Sequence, residues 1–464
     1  MNTIYKRCKI LFLLVAFVIA GMSVLAGTFI VKGNEYVIKS ANRHLYSGGV
    51  LISGGRVLDR NGVTLSRIHD GERIYSDYSS YRRSTLHLVG DQYGFIANGV
   101  QTTWASELIG YNLITGVFNA GENGGNDLRL TVDADVNAAA LSALDGRKGC
   151  VGVYNYKTGA LLCDVSAPTY DVYDKPSNSD IEDDATGRYT GLYLNKLFAG
   201  QYVPGSVFKT VTAVCAIENI PDVFSRTFRC EGEWTAADGK AIICNDEHGY
   251  VTFEEAFNQS CNVAFAQLAI ELGANRLQKT ADRLGLNAGF RTDRIMTAKG
   301  SVDLSGASVS DLGWAGFGQY TDIVNPAAIM TMMGAIANGG VAVRPYFVDS
   351  VSSPSGADVY SASTSELGTY MSPQTASLMD GILRSTVTDY YGESKFQGLK
   401  VCAKSGTAEV GYGLEPHAWF AGYSQREDFP YAFVVVVENG GSGYQTAGSV
   451  ASEVLDALYD ALDR

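Results

Sequence analysis

The strongest hydrophobic signal is a run of 22 uncharged, mostly apolar residues, Ile10 to Val31, that follows the basic residues Lys6, Arg7 and Lys9. At 1.5 Å per residue such a helix is about 33 Å long, enough to cross a hydrocarbon core of about 30 Å. The basic flank predicts a cytoplasmic N-terminus (residues 1–9), a single anchor (10–31) and an external remainder. A cleaved leader ending near Val24-Leu25-Ala26 is the alternative, and the length of the run favours the anchor. Beyond it, short apolar runs alternate with polar turns. In RVLDRNGVTLS (56–66), Val57 and Leu58, the pair Asn61-Gly62, then Val63 and Leu65 predict strand–turn–strand. AGENGGND (120–127) marks a boundary between a smaller unit, 32–126, and a larger one, 127–464. The larger unit opens with a strand (LRLTV, 128–132), an acid-capped helix ending at Gly146, and a hairpin over 149–167 turning at KTG (157–159). VFKTVTAVCAI (207–217) has helical spacing. TFEEAFNQSCNVAFAQLAIELG (252–273) starts with a capping box, Thr252 to Glu255, and its spacing from Phe253 through Leu268 reads as one helix. Three consecutive strands (399–410, 418–424, 431–439) and a closing amphipathic helix (447–462) complete the pattern. The fold class is α+β, or mixed α/β, with an antiparallel sheet flanked by helices.

Composition narrows the function. With 464 residues, 46% hydrophobic and 18% charged, the chain is globular, and a net charge of −13 with no basic stripe excludes a nucleic-acid partner. Of eight cysteines, Cys8 precedes the anchor, so seven lie outside and not all can pair together. Cys230 with Cys244, and Cys150 with Cys163 across the predicted hairpin, are candidate disulfides, with buried thiols the alternative. Neither spacing is a zinc signature, and His44, His69, His87, His248 and His417 form no HExxH-type cluster, so no catalytic metal and no cofactor is expected.

The decapeptide PGSVFKTVTA (204–213) carries the chemistry. Ser206 and Lys209 stand one helical turn apart at a predicted helix start, so the lysine amine reaches the serine hydroxyl. To act as a base there, the lysine must lose its charge near pH 7. That is a shift of about three units from its usual value of about 10.4, or about 4 kcal/mol, supplied by burial and a neighbouring cation. Free N–H groups at a helix start favour a developing anion. Ser-x-x-Lys alone is weak, since an N-cap serine with a solvated lysine looks the same. The mechanism also demands a second cation, a hydroxyl to relay the proton and a backbone N–H to complete an oxyanion hole. Lys404-Ser405-Gly406, followed by Thr407, supplies the first and third on a predicted strand. Ser260-Cys261-Asn262 supplies the second. The matching KTG at 157–159 reads as a hairpin turn, and Ser40-Ala41-Asn42 has no supporting chemistry nearby.

S-x-x-K, S-x-N and K-S-G in this order resemble the penicilloyl serine transferases. The stretch TGRYTGLYLNKLFAGQYVPGSVFK resembles the corresponding region of class B penicillin-binding proteins of the short Gram-positive type, although Asn195-Lys196-Leu197 departs from their Asn-Arg-Ala element. FNQSCN, GFGQY…VNP, AIANGGVAVRP, KSGTAE and HAWFAGYS resemble later landmarks of that family, and DRNG (59–62) the start of its N-terminal pedestal. The resemblance makes 32–126 a pedestal and 127–464 a transpeptidase domain. It implies that Ser206 attacks the penultimate D-alanine carbonyl of a stem peptide with Lys209 as base, that Ser260 relays the proton and that Asn262 binds the substrate amide. Lys404 and Ser405 would hold the terminal carboxylate beside Gly406, and the N–H groups of Ser206 and Thr407 the oxyanion. It implies acylation by β-lactams, no cofactor, and a SEDS-type glycosyltransferase as partner of anchor and pedestal. It also implies a break between two helices at Ser260 and Asn262, where the apolar spacing alone fits one helix. A carboxypeptidase, β-lactamase or β-lactam sensor would share this site, and a non-catalytic scaffold is the remaining alternative. Cys261 is expected to pack inward, and Arg82 and Arg83 to be solvated.

Overall fold

The computed structural model describes residues 2–37, 46–47, 50–51, 54–112, 117–118, 124–396, 398–411 and 413–462. The N-terminal run forms helix α1, Asn2–Val37, within which Ile4–Thr28 is long and apolar enough to cross a membrane and is exposed throughout. The larger unit is built on a five-stranded antiparallel sheet. Its strands are β1 (Gly149–Asn155), β2 (Leu161–Ala167), β3 (Val401–Ala408), β4 (His417–Ser424) and β5 (Tyr431–Val437), in the spatial order β2-β1-β5-β4-β3. Both faces are covered, so the central strands are apolar without alternation, as in the run Val434 to Val437. Val434 and Val436 join one core with Met330 and Met333 of helix α4, Pro326–Ala337. Val435 and Val437 join a second core with α2, Ala134–Leu144, and α7, Gly448–Leu462. Asp133 caps α2 as expected, its carboxylate accepting from the N–H groups of Asp135 and Val136.

A second, six-stranded sheet contains Val57–Leu58, Thr64–His69 and Glu72–Tyr75, which arise from the expected strand–turn–strand and its continuation. It also takes in Asp127–Leu130, paired in parallel with Val57–Leu58, and two later strands, Val348–Ser352 and Asp358–Ser361. The sequence boundary at 126/127 therefore falls within a shared sheet. Arg56 pairs with Asp127 across it. Arg82 is not solvated as the sequence suggested: it forms a bidentate pair with Asp171 at 2.8 and 2.7 Å, both side chains largely covered.

Of the two readings of the cysteine pairs, the structure has the buried thiols. In the hairpin Cys150 pairs with Ser166 and Cys163 with Val153, so the two thiols are three residues out of register. They also enter opposite cores and carry no disulfide. Cys230 and Cys244 are likewise free thiols. Across 252–273, where apolar spacing fits one helix and the family resemblance implies two, the structure has two: α5, Phe253–Asn258, and α6, Asn262–Leu272, which flank a break at 259–261.

Candidate active site

The decapeptide folds as a 3₁₀ turn, Gly205–Phe208, leading into helix α3, Lys209–Asn219. Side chains at i and i+3 eclipse in a 3₁₀ turn, which brings Ser206 and Lys209 together more directly than an α-helical turn would. Glycine at 205 is required on two counts. Its φ is +54°, and a Cβ there would stand 2.8 Å from the Thr407 carbonyl oxygen. Gly406 answers from the other side, where a Cβ would lie 2.9 Å from the Pro204 carbonyl oxygen. The nucleophile turn and edge strand β3 thus pack backbone to backbone.

The break between α5 and α6 carries the second motif. Ser260 has a left-handed backbone, φ +57°, and its N–H donates to the Phe257 carbonyl at 3.1 Å. A helix continuing through 259–261 would turn its hydroxyl away; the break aims it at the two lysines. Asn262 donates through Nδ2 to the Ile243 carbonyl at 3.1 Å, which fixes its Oδ1 toward Lys209.

Lys209 is fully buried. Its Nζ lies 3.0 Å from Ser206 Oγ, 3.0 Å from Ser260 Oγ, 2.5 Å from the Ser260 carbonyl oxygen and 2.7 Å from Asn262 Oδ1. Lys404 Nζ, also fully buried, lies 3.1 Å from the same Ser260 Oγ and donates to the Ser405 carbonyl at 3.0 Å. Ser260 therefore sits between the two amines. Burial pulls the Lys209 amine down to about 7, against a weaker upward pull from the thiols of Cys244 and Cys261. Burial, with repulsion from Lys209, holds Lys404 well below the ordinary lysine range. Burial was expected to share this shift with a neighbouring cation, and desolvation is its largest cause.

All eight sequence-predicted site residues converge here, with one difference of placement. Side chains alternate along β3, so Ser405 and Thr407 face a cleft of about 330 Å³ while Lys404 points inward to Ser260. Ser206 and Ser260 line the same cleft, together with Gln259, Tyr391 and Tyr444, among others. Tyr391 was not legible in the sequence. It ends a π-helical turn, Thr386–Tyr391, and stacks on Tyr444 with ring centroids 4.7 Å apart. Its Oη lies 2.6 Å from Ser405 Oγ and accepts from the Ser405 N–H at 2.9 Å, so it sets the pose of the K-S-G serine. Nothing in DYYGES (389–394) distinguishes this tyrosine from the other 26 in the chain. The KTG at 157–159 does lie in the hairpin turn between β1 and β2, away from the cleft. Trp419 is fully buried and donates to the Val203 carbonyl at 3.0 Å.

The Penicillin binding protein transpeptidase domain family matches residues 149–460. The chain is 24% identical to the peptidoglycan D,D-transpeptidase PbpA of Mycolicibacterium smegmatis over 98% of this chain and 97% of that one. It is 28% identical to PbpA of Mycobacterium tuberculosis over 89% and 88% of the two chains. Among solved structures it resembles the D,D-transpeptidase domain of a peptidoglycan glycosyltransferase from Eggerthella lenta, with a TM-score of 0.75, 27% identity, and 89% and 99% of the chains covered. It also shares its fold with penicillin-binding protein A of M. tuberculosis as a penicillin G acyl-enzyme complex, with a TM-score of 0.74, 24% identity, and 89% and 100% covered. With two buried lysines set against the cleft-lining Ser206 and Ser260 at the meeting of three motifs, and a family match over most of its length, the chain belongs to the penicillin-binding protein transpeptidases, as a class B penicillin-binding protein.

Proposed function

We infer that this protein is a peptidoglycan D,D-transpeptidase working through a serine acyl-enzyme on stem peptides ending in D-Ala-D-Ala. The observation that carries the reading is a fully buried Lys209 amine, lowered to about 7, placed 3.0 Å from Ser206 Oγ. The uncharged amine takes the Ser206 proton as Oγ attacks the penultimate D-alanine carbonyl. The N–H groups of Ser206 and Thr407 hold the oxyanion. The proton passes through Ser260 to the departing D-alanine nitrogen; Lys404, at 3.1 Å, sustains the potential that favours this transfer. Ser405 and Thr407, which face the cleft, take the terminal carboxylate, and Asn262 orients the substrate amide. An amine of a neighbouring stem peptide then attacks the ester, forming the cross-link and freeing Ser206. A β-lactam resembles the D-Ala-D-Ala end and acylates Ser206 by the same route.

Localisation follows from α1: the helix anchors the protein in the cell membrane, with Lys6, Arg7 and Lys9 on the cytoplasmic side and the catalytic unit outside. Residues 32–126 serve as the pedestal between them, and a SEDS-type glycosyltransferase is the partner this reading implies; resemblance to the family supports both. Labelling with a fluorescent penicillin tests the function. Ser206→Ala is expected to abolish labelling, a loss of at least about 10⁴-fold, in a protein with unchanged circular dichroism. A stem-peptide thioester with a D-amino acid acceptor should yield exchange product. Unchanged labelling of the Ser206 variant, or hydrolysis alone, would overturn the reading.

A further inference from the structure

Immediately beside the S-x-N break lies a side-chain cluster that the acylation chemistry leaves unused. Cys230 ends the strand Thr227–Cys230, and Cys244 follows the strand Ala241–Ile243. His248 comes from the loop after it, and Cys261 is the N-cap of α6, between Ser260 and Asn262. One ligand atom from each, three Sγ and one imidazole nitrogen, lies within 4.8 Å of the other three. His248 Nδ1 is 3.5 Å from the Sγ of both Cys230 and Cys244. A tetrahedral zinc with Zn–S of about 2.3 Å and Zn–N of about 2.0–2.1 Å has an S···N edge of about 3.6 Å. The cluster already has that edge twice.

We propose that Cys230, Cys244, His248 and Cys261 bind one Zn²⁺, and that this ion fixes the loop carrying Ser260 and Asn262 against Lys209. Three soft sulfurs and one imidazole around a tetrahedral centre select zinc over the oxygen-seeking cations. Four protein ligands close the coordination sphere, so the ion is structural and leaves no position for substrate or water. The three sulfurs are almost completely buried, while His248 is partly open and admits the ion from the cleft side. The backbone supports the sulfurs: the Asn262 N–H donates to Cys244 Sγ at 3.2 Å and the Ala264 N–H to Cys261 Sγ at 3.5 Å. Such N–H donors orient and stabilise metal-bound thiolates. The Cys230 thiol faces the Asp246 carbonyl at 3.5 Å, and metal binding exchanges that proton for the ion, releasing it to solvent. A disulfide uses two of the three sulfurs and strands the third beside a histidine; a metal uses all four groups.

The mechanical consequence concerns Ser260. Its left-handed backbone is a conformation that non-glycine residues adopt only when their surroundings impose it. Cys261, the next residue, is the one ligand on that loop, so the ion ties the break to the 230–248 segment and holds the Ser260 hydroxyl between the two amines.

The test is metal analysis of the full-length protein, purified in detergent with its affinity tag removed and no chelator added. About one zinc per chain is expected, with X-ray absorption showing three sulfurs near 2.3 Å and one nitrogen near 2.0–2.1 Å. Cys230→Ser and His248→Ala, neither in the acylation machinery, should each lose most of the zinc, whereas Cys150→Ser should keep it. The spectrum of the parent needs no variant to fold. A parent that is zinc-free and, after reduction, takes up no added Zn²⁺ would overturn the proposal. So would a Cys244–Cys261 disulfide in the native protein, or zinc retained by both ligand variants. The role in positioning rests on the transpeptidase reading: the two ligand variants should acylate with fluorescent penicillin about 10–100-fold more slowly. Zinc present in a parent that takes no penicillin would refute that reading and leave the metal site standing.

Discussion

Two lysines in the same unit, Lys196 and Lys209, are both withdrawn from water, yet they are held in opposite ways. Lys196 lies 2.5 Å from Glu438, which also accepts from Tyr202 Oη at 2.8 Å. Burial lowers its pKa, and the Glu438 carboxylate pulls against that shift. Lys209 meets only hydroxyl, carbonyl and amide oxygens, and among the described residues no carboxylate lies within ion-pair distance of it. One lysine is kept charged as part of the scaffold, and the other is brought close to neutrality beside a hydroxyl. Burial alone does not make a base; burial without a counter-ion does.

Replacing each lysine by methionine breaks the comparison most sharply. Lys209→Met should slow penicillin acylation by about 10³-fold or more. It should also leave the fold intact and change stability by less than about 1 kcal/mol in chemical denaturation, since the desolvated amine and its hydrogen bonds to Ser206, Ser260 and Asn262 are lost together. Lys196→Met should do the reverse, costing about 3 kcal/mol because Glu438 stays buried without its cation, with acylation of the folded protein changed less than about twofold. A stability loss at Lys209 equal to that at Lys196 would erase the distinction. A smaller effect is expected from Tyr391→Phe. Losing the hydroxyl that accepts from the Ser405 N–H should lower acylation about 10-fold without loss of the fold.

Much of this was legible in the sequence because it is local. The strands at 399–439, the hairpin, the Thr252 and Asp133 caps and the three motifs follow from spacing and turn chemistry within single segments. What was not legible depends on segments meeting. The apolar period through 252–273 continues across Ser260, and only the tertiary contacts of the loop impose the break. Arg82 finds Asp171 89 residues away. The Cys–Cys–His–Cys cluster escaped because its members have no recognised ligand spacing: three separate segments supply them, and one sits inside a catalytic motif, where it reads as packing. Cys150 and Cys163 misled for the converse reason. They are close in sequence, but the hairpin register sets Cys150 opposite Ser166 and Cys163 opposite Val153, three positions apart.

The pH dependence of Ser206 acylation tests the central claim most directly. Lys209 titrates near 7, while Lys404, the other cation facing Ser260, is held well below the ordinary lysine range and the thiols of Cys244 and Cys261 lie nearby. With the uncharged amine as the proposed base, the second-order rate constant with a fluorescent penicillin should fall about 10-fold per pH unit below 7 and level off above it. A rate constant that is flat from pH 5 to 9, or that inflects only near 10.5, would mean that Lys209 is not the base that activates Ser206.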